Sequence, residues 1–291
     1  MPDNTILTTT KIKSSLNFES SKQNDYFPAI DLFKFIMAIA VVAIHTLSKN
    51  TIELGIYYKT IVTMSVPFFF MASSFLLFTK NDCKEKQIES LKKYINSFFI
   101  TYLKWTLIYL PITIYFFYQS HTGTIKAVLV FLYNILVKGS NNFSYHLWYL
   151  LSTAYGASIL LLLFKKNISV KKIILIIPIF FVLIQYLLLF FKDSMGSRFN
   201  SFANDSVRIV LSGLFYMSLG LFFSKIYKKN KLFSLKSNMF GLVLCFIVSV
   251  FFHEKNLIMP ILLNLFFFAF VLNLNSLLSN IYIYIYIYKA T

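Results

Sequence analysis

Charge is scarce in this chain: charged residues fill 13% of its 291 positions, with 11 acidic side chains against 28 lysines and arginines. Soluble domains are about a quarter charged and about half apolar. A chain that is 57% hydrophobic, with mean hydropathy +0.67, is therefore excluded from that class and reads as a polytopic membrane protein. There are only 2 cysteines, Cys83 in a lysine-rich stretch and Cys245 in an apolar run, and neither has metal-ligand spacing around it. Also missing are a P-loop, a nucleotide-binding glycine fingerprint, a cluster of metal ligands and a serine-centred nucleophile motif, so no metal is expected. The first residues lack the apolar core and cleavage site of a signal peptide, and residues 1–27 are expected as a disordered cytoplasmic tail.

What charge there is has a pattern. A net charge of +17 would suggest nucleic acid in a soluble protein, but the lysines concentrate in short connections between apolar runs, so no nucleic-acid partner is expected. The runs cover about 28–47, 56–79, 94–118, 122–137, 143–164, 173–191, 206–224, 237–252 and 257–278. Most of them reach the roughly 20 residues that a spanning helix needs. Three lysine-rich connections, 80–93, 165–172 and 225–236, are expected on the cytoplasmic side. They share one side if 94–118 and 143–164 span and the short 122–137 run is a re-entrant or surface helix. The fold class is then an all-α polytopic transmembrane bundle of about 8 to 9 membrane helices plus that short element. The N-terminus is cytoplasmic, and "SNNFSYHLWYL" faces outward. The alternating "NIYIYIYIYKAT" has a strand-like period, and residues 279–291 read as an aberrant low-complexity tail after a membrane domain over 28–278.

The first run carries chemistry. "AIDLFKFIMAIAVVAIH" contains Asp31, Lys34 and His45, and an ionisable group inside a bilayer is costly enough to mark a site. Positions eleven apart on an α-helix turn through about 1100°, within roughly 20° of superposition, and lie about 16 Å apart. Lys34 and His45 thus share a face at different depths, and Asp31 can pair with Lys34 at i, i+3. On one reading the face lines a passage, with Lys34 attracting an anionic group from the cytosol and His45 acting as general base on a hydroxyl. On the other, Asp31 and Lys34 snorkel to the interface and His45 is a hydrogen-bonded helix end. A second imidazole, His146, precedes Trp148 and Tyr149 in "NFSYHLWYLLSTAYG", where an aromatic belt is the ordinary alternative. Arg208, close after Asp205, can be either a structural ion pair at a helix start or part of a site, and Gly213 and Gly220 suit close helix packing.

Taken in order, "IDLFKFIMAIAVVAIH", "HLWYL" and "NDSVRIVLSGLFYMSLG" resemble the acyltransferase-3 family of integral membrane acyltransferases. The likeness is to its surface-polysaccharide O-acetyltransferase branch and to the membrane domain of vancomycin-resistance serine racemases. The resemblance implies that Lys34 and His45 are the family's basic residue and essential histidine. It places His146 and Trp148 in its tryptophan-containing motif and makes Arg208 a basic residue opening a later span. It implies acyl-CoA, usually acetyl-CoA, as cytoplasmic co-substrate, and a glycan or other cell-envelope hydroxyl as outward acceptor. The expected setting is a bacterial plasma membrane with its lipid around the helices. His45 and His146 are the expected catalytic pair, with Lys34, Lys92, Lys93 and Arg208 toward the cofactor and Asp31 and Trp148 as support. Where many members carry Arg-x-x-x-Arg, "LKKYINSFF" offers Lys92 and Lys93 alone. Family members usually have a tenth apolar segment, so the Ile-Tyr tail reads as a truncation. The competing readings are a permease-like membrane domain without catalysis and an inactive remnant.

Overall fold

In the computed structural model, residues 26–46, 60–61, 63–81, 83–121, 123–141, 144–191, 194, 196–232, 234–251 and 258–290 are described; most of the N-terminal tail lies outside them, as do Lys59 of the second apolar run and His253 directly after the eighth. Ten α-helices cover the described residues: α1 (Pro28–Thr46), α2 (Ser65–Lys80), α3 (Lys84–Gln119), α4 (Thr124–Tyr133), α5 (Trp148–Lys165), α6 (Val170–Phe191), α7 (Ser197–Ser206), α8 (Gly213–Lys228), α9 (Leu235–Phe251) and α10 (Ile258–Ala290). A π-helical turn, Asn134–Lys138, extends α4, and another, Val207–Ser212, joins α7 to α8 without a break. A single 3-10 turn, Tyr145–Leu147, leads into α5. Among the described residues, five helical segments are long and apolar enough to cross a membrane: Lys84–Gln119, Tyr145–Lys165, Val170–Phe191, Phe199–Lys228 and Ile258–Asn275. Helices suit that environment because every backbone group bonds within its own segment.

The chain divides into two compact units, one from Val66–Lys231 and the other from the residues up to Ser65 together with those from Leu232. In the first, α5 is central. Its Ser152 and Gly156, four residues apart, form a small-residue patch on which α8 lies almost backbone to backbone. A Cβ added at Gly213 would sit 2.4 Å from the Ser152 carbonyl oxygen, and one at Gly156 2.7 Å from the Leu214 nitrogen. Two turns further along α8, Gly220 meets α2, where a Cβ would be 2.4 Å from Met71 O, and Ser74 Oγ donates to Met217 O at 2.6 Å. The close-packing role read for Gly213 and Gly220 is thus met. Phe70, Phe78, Leu160, Phe164, Ile173 and Met217 fill the core between these helices.

The three lysine-rich connections meet at one end of this unit. Phe78, near the end of α2, stacks on Phe164, near the end of α5, with centroids 5.4 Å apart, Lys228 donates to Phe78 O at 3.1 Å, and Lys84 bonds Asn167. That arrangement requires α4 not to span, as expected of the short run. The lysine-rich stretch 80–93 is not a loop, however: α3 starts at Lys84 and runs 36 residues, about 54 Å. Its charged first turns are good helix formers, and Glu89 pairs with Lys93 at i, i+4, 2.7 Å apart.

In the second unit, α1 runs antiparallel to α10. Ala29 N–H, in the first turn of α1, donates to Asn275 Oδ1 at 3.3 Å, and Phe33 meets Phe267 edge to face at 5.6 Å. The Asn275 carboxamide supplies an acceptor to one of the N–H groups that a helix start leaves without an internal partner. α9 packs on α10 where Gly241 admits the ring of Phe266. The Ile-Tyr tail departs from its strand-like period: α10 continues through it to Ala290. Among the described residues there is no strand for it to pair with, and a helix already formed extends by one hydrogen bond per added residue.

Candidate functional site

The first set of chemical groups lies on α1. Its half-buried face follows Ile30, Phe33, Lys34, Met37 and Val41 at helical spacing, and Leu32, Phe35, Ile39 and Val42 stand exposed on the other side. Lys34 Nζ lies 3.1 Å from Asp31 Oδ1, so the expected pairing forms, with both side chains partly open. Asp31 sits in the first turn of α1 and His45 in the last. His45 is exposed.

The second set is built around the short hairpin of the other unit. The π-turn Asn134–Lys138 stops at Gly139, whose φ of 71° is left-handed and whose absent Cβ makes room for Trp148 Cα at 2.9 Å and Ile209 Cδ1 at 2.8 Å. A helix end leaves carbonyls without internal partners. Here three side chains from different helices supply donors. Tyr102 OH of α3 donates to Ile135 O at 2.8 Å, Tyr155 OH of α5 to Leu136 O at 3.1 Å, and the Arg208 guanidinium to Lys138 O at 3.2 Å. Tyr102, Leu147, Leu151 and Ile209 form a buried cluster beneath.

Arg208 is the hub. It projects from the π segment Val207–Ser212, which re-aims side chains relative to the α-helices on either side. The guanidinium also donates to Asp205 Oδ1 at 3.2 Å, and its carbon lies 5.3 Å from the centroid of the Trp148 ring, within cation–π range. Asp205 in turn accepts from Tyr133 OH of α4 at 3.3 Å. Burial and the neighbouring Asp205 carboxylate push the Tyr133 phenol above its ordinary value, which keeps it a donor. Of the two readings of Arg208, the ion pair with Asp205 is present, and the same pair ties three further elements together.

Trp148 opens α5, and His146, two residues earlier in the 3-10 turn, faces Tyr109 of α3 edge to face at 5.7 Å. The structure therefore brings His146, Trp148 and Arg208 to one end of their unit. Lys92 and Lys93 lie at its lysine-rich end, near the start of α3, exposed, with Lys93 held by Glu89. Lys92 and Tyr109 are seventeen residues apart on that helix, about 25 Å. Asp31, Lys34 and His45 belong to the other unit. The residues that the sequence reading passed over are Tyr102, Tyr133, Tyr155 and Gly139. Only Gly139 carried a local signal, a glycine directly after an apolar run, the usual helix stop.

A family model described as "Acyltransferase domain", Acyl_transf_3, matches residues 27–289. Among curated proteins, the chain is similar to an "Amino-acid racemase" of Enterococcus faecalis, 30% identical over 210 residues that cover 70% of this chain and 27% of that protein. It is similar to a second "Amino-acid racemase" of Enterococcus faecalis, at 26% over 252 residues, 84% of this chain and 32% of that protein. A "Serine/alanine racemase" of Enterococcus gallinarum is 32% identical over 156 residues, 50% of this chain and 20% of that protein. The chain thus spans a third or less of the length of these relatives. No solved structure matches.

Proposed function

Because the chain belongs to the acyltransferase-3 family of membrane proteins, we propose that it moves an acyl group, in the first place acetyl, from cytoplasmic acyl-CoA to a hydroxyl of an extracytoplasmic glycan or other envelope acceptor. The observation that carries this reading is that the family match includes α1, whose Lys34 and His45 share one helical face. In the proposed reaction His45 takes the proton of the acceptor hydroxyl as its oxygen attacks the thioester carbonyl. The carbon–sulfur bond breaks as the ester forms, and the proton passes from the imidazolium to the departing thiolate. His146 orients the acceptor or shares its proton. Lys34, tethered by Asp31, attracts the donor's anionic groups, and Lys92 and Lys93 do the same as point charges, without the bidentate fork of arginine. The N-terminus is on the cytoplasmic side, and the host membrane is a bacterial plasma membrane.

The test is transfer of label from acetyl-CoA to envelope polymers or small molecules in membranes containing the full chain. Loss of transfer in His45→Ala, with the protein still inserted, is the expected result; full transfer by that variant would defeat the mechanism. A second reading is drawn from the names of the relatives: a permease-like membrane domain that admits an amino acid to a racemase elsewhere in those longer proteins. It requires no acyl-CoA consumption and requires amino-acid uptake that depends on Asp31 and Lys34, so the two readings separate in one pair of assays.

A further inference from the structure

We propose that Arg208 is a positioning residue: through Asp205, the Lys138 carbonyl and the face of Trp148 it fixes the hairpin against the start of α5, and so fixes the turn that carries His146. This rests on the acyl-transfer reading for its consequence in turnover, and on geometry alone for its structural part.

The alternative role, a ligand for the donor's phosphates, fits the placement poorly. A phosphate ligand needs donors free to turn to an anion. Both hydrogen bonds of Arg208 come from Nη2, to Asp205 Oδ1 and Lys138 O at 3.2 Å, its guanidinium carbon lies over Trp148, and Nε, a donor without a partner among the described residues, is buried. An anion at this guanidinium would compete with the Asp205 carboxylate and stand beside the carbonyl end of the Asn134–Lys138 turn, the negative end of that helix. Lys92 and Lys93 lie at the other end of the unit, so the three cations do not surround one group.

What the arrangement does suit is registry. The hairpin has three handles, on Tyr102, Tyr155 and Arg208, and Arg208 also lies over the ring of Trp148, which packs on the cluster that holds Tyr102. Gly139 adds a second contact by lying against Trp148 Cα and Cβ. Trp148 thus meets a guanidinium at its ring and the Gly139 turn at its Cα and Cβ, and His146 lies two residues before it in the 3-10 turn. A shift of the indole is carried to the imidazole, and a misplacement on the order of 1 Å in a reacting constellation costs up to roughly 100-fold in rate.

The chain has 2 tryptophans, Trp105 and Trp148, so Trp105→Phe leaves Trp148 as the sole indole fluorophore. In that background, purified Arg208→Lys and Asp205→Asn are compared with the parent by tryptophan emission and by kinetics with acetyl-CoA. Asp205→Asn is the informative partner, because it loosens Arg208 without removing its charge. The expected result is a shifted Trp148 emission in both variants, kcat lowered roughly 10- to 100-fold, and KM for acetyl-CoA unchanged. Unchanged emission in either variant, or a raised KM for acetyl-CoA with kcat retained, overturns the proposal, as does shifted emission with kcat retained. Emission is read without turnover, so a failure of the acyl-transfer reading leaves a distinct signature: the emission shifts while the parent itself transfers no acetyl group.

Discussion

Arg208 lies over the ring of Trp148, with 5.3 Å between guanidinium carbon and ring centroid, although sixty positions separate them in the chain. That contact joins the π segment after α7 to the first residue of α5, and the short α4 hairpin is locked between them. It gives the hairpin a measurable mechanical hierarchy.

Tyr102 is 2% exposed, and its hydroxyl is the partner of Ile135 O. Tyr102→Phe strands that carbonyl, and the expected cost is about 1–3 kcal/mol of unfolding free energy. Tyr155→Phe, at a hydrogen bond open to water, should cost less. Thermal unfolding of the two variants in the same detergent checks this; equal losses would show that burial does not decide the strength of the two handles.

Gly139→Ala meets two obstacles at once, a φ of 71° and a Cβ 2.9 Å from Trp148 Cα. The expected destabilisation is about 1–3 kcal/mol, together with a change in tryptophan emission. Gly123→Ala, at the start of the same hairpin, has nothing within 4 Å of the added Cβ and should leave both readings at parent values.

Gly213→Ala places a methyl 2.4 Å from a backbone oxygen of α5, which has no flexible end to swing aside. Overpacking of this kind costs about 1–3 kcal/mol. The outcome to measure is the folded fraction recovered from membranes, with Gly196→Ala, which meets nothing within 4 Å, as the reference that stays unchanged.

Glu89 holds Lys93 at 2.7 Å, with side chains 65% and 77% exposed. An ion pair so open to water adds little stability. Glu89→Gln is therefore expected to leave unfolding unchanged while freeing Lys93, and to lower KM for acetyl-CoA if that lysine meets the donor. An unchanged KM removes Lys93 from the donor site.

Much of this architecture could be read from residue order, for identifiable reasons. Apolar runs mark bilayer-length helices because burying their backbone in hydrocarbon leaves no other structure, and lysine placement foretold that 122–137 would not span. The Asp31–Lys34 pair followed from i, i+3 spacing. The start of α3 at Lys84 did not show, because hydropathy marks where a helix enters an apolar layer rather than where its hydrogen bonds begin. The three hairpin handles were invisible for a different reason. A tyrosine in an apolar run looks the same whether its hydroxyl is idle or holds a carbonyl thirty-three residues away, as that of Tyr102 does. The π segments have no compositional mark, since packing partners produce them.

The π segment Val207–Ser212 also sets a phase. A π turn is an α-helix with a residue to spare, and that residue separates two aims of one continuous rod: Arg208 toward the hairpin, Gly213 and Gly220 toward α5 and α2. Adding a single residue at the start of α8, where winding is ordinary, would turn everything beyond it by about 100°. The glycine seam would then face away from Ser152 and Met71 while Arg208 stayed in place. At this point the chain should tolerate substitution far better than a change of length.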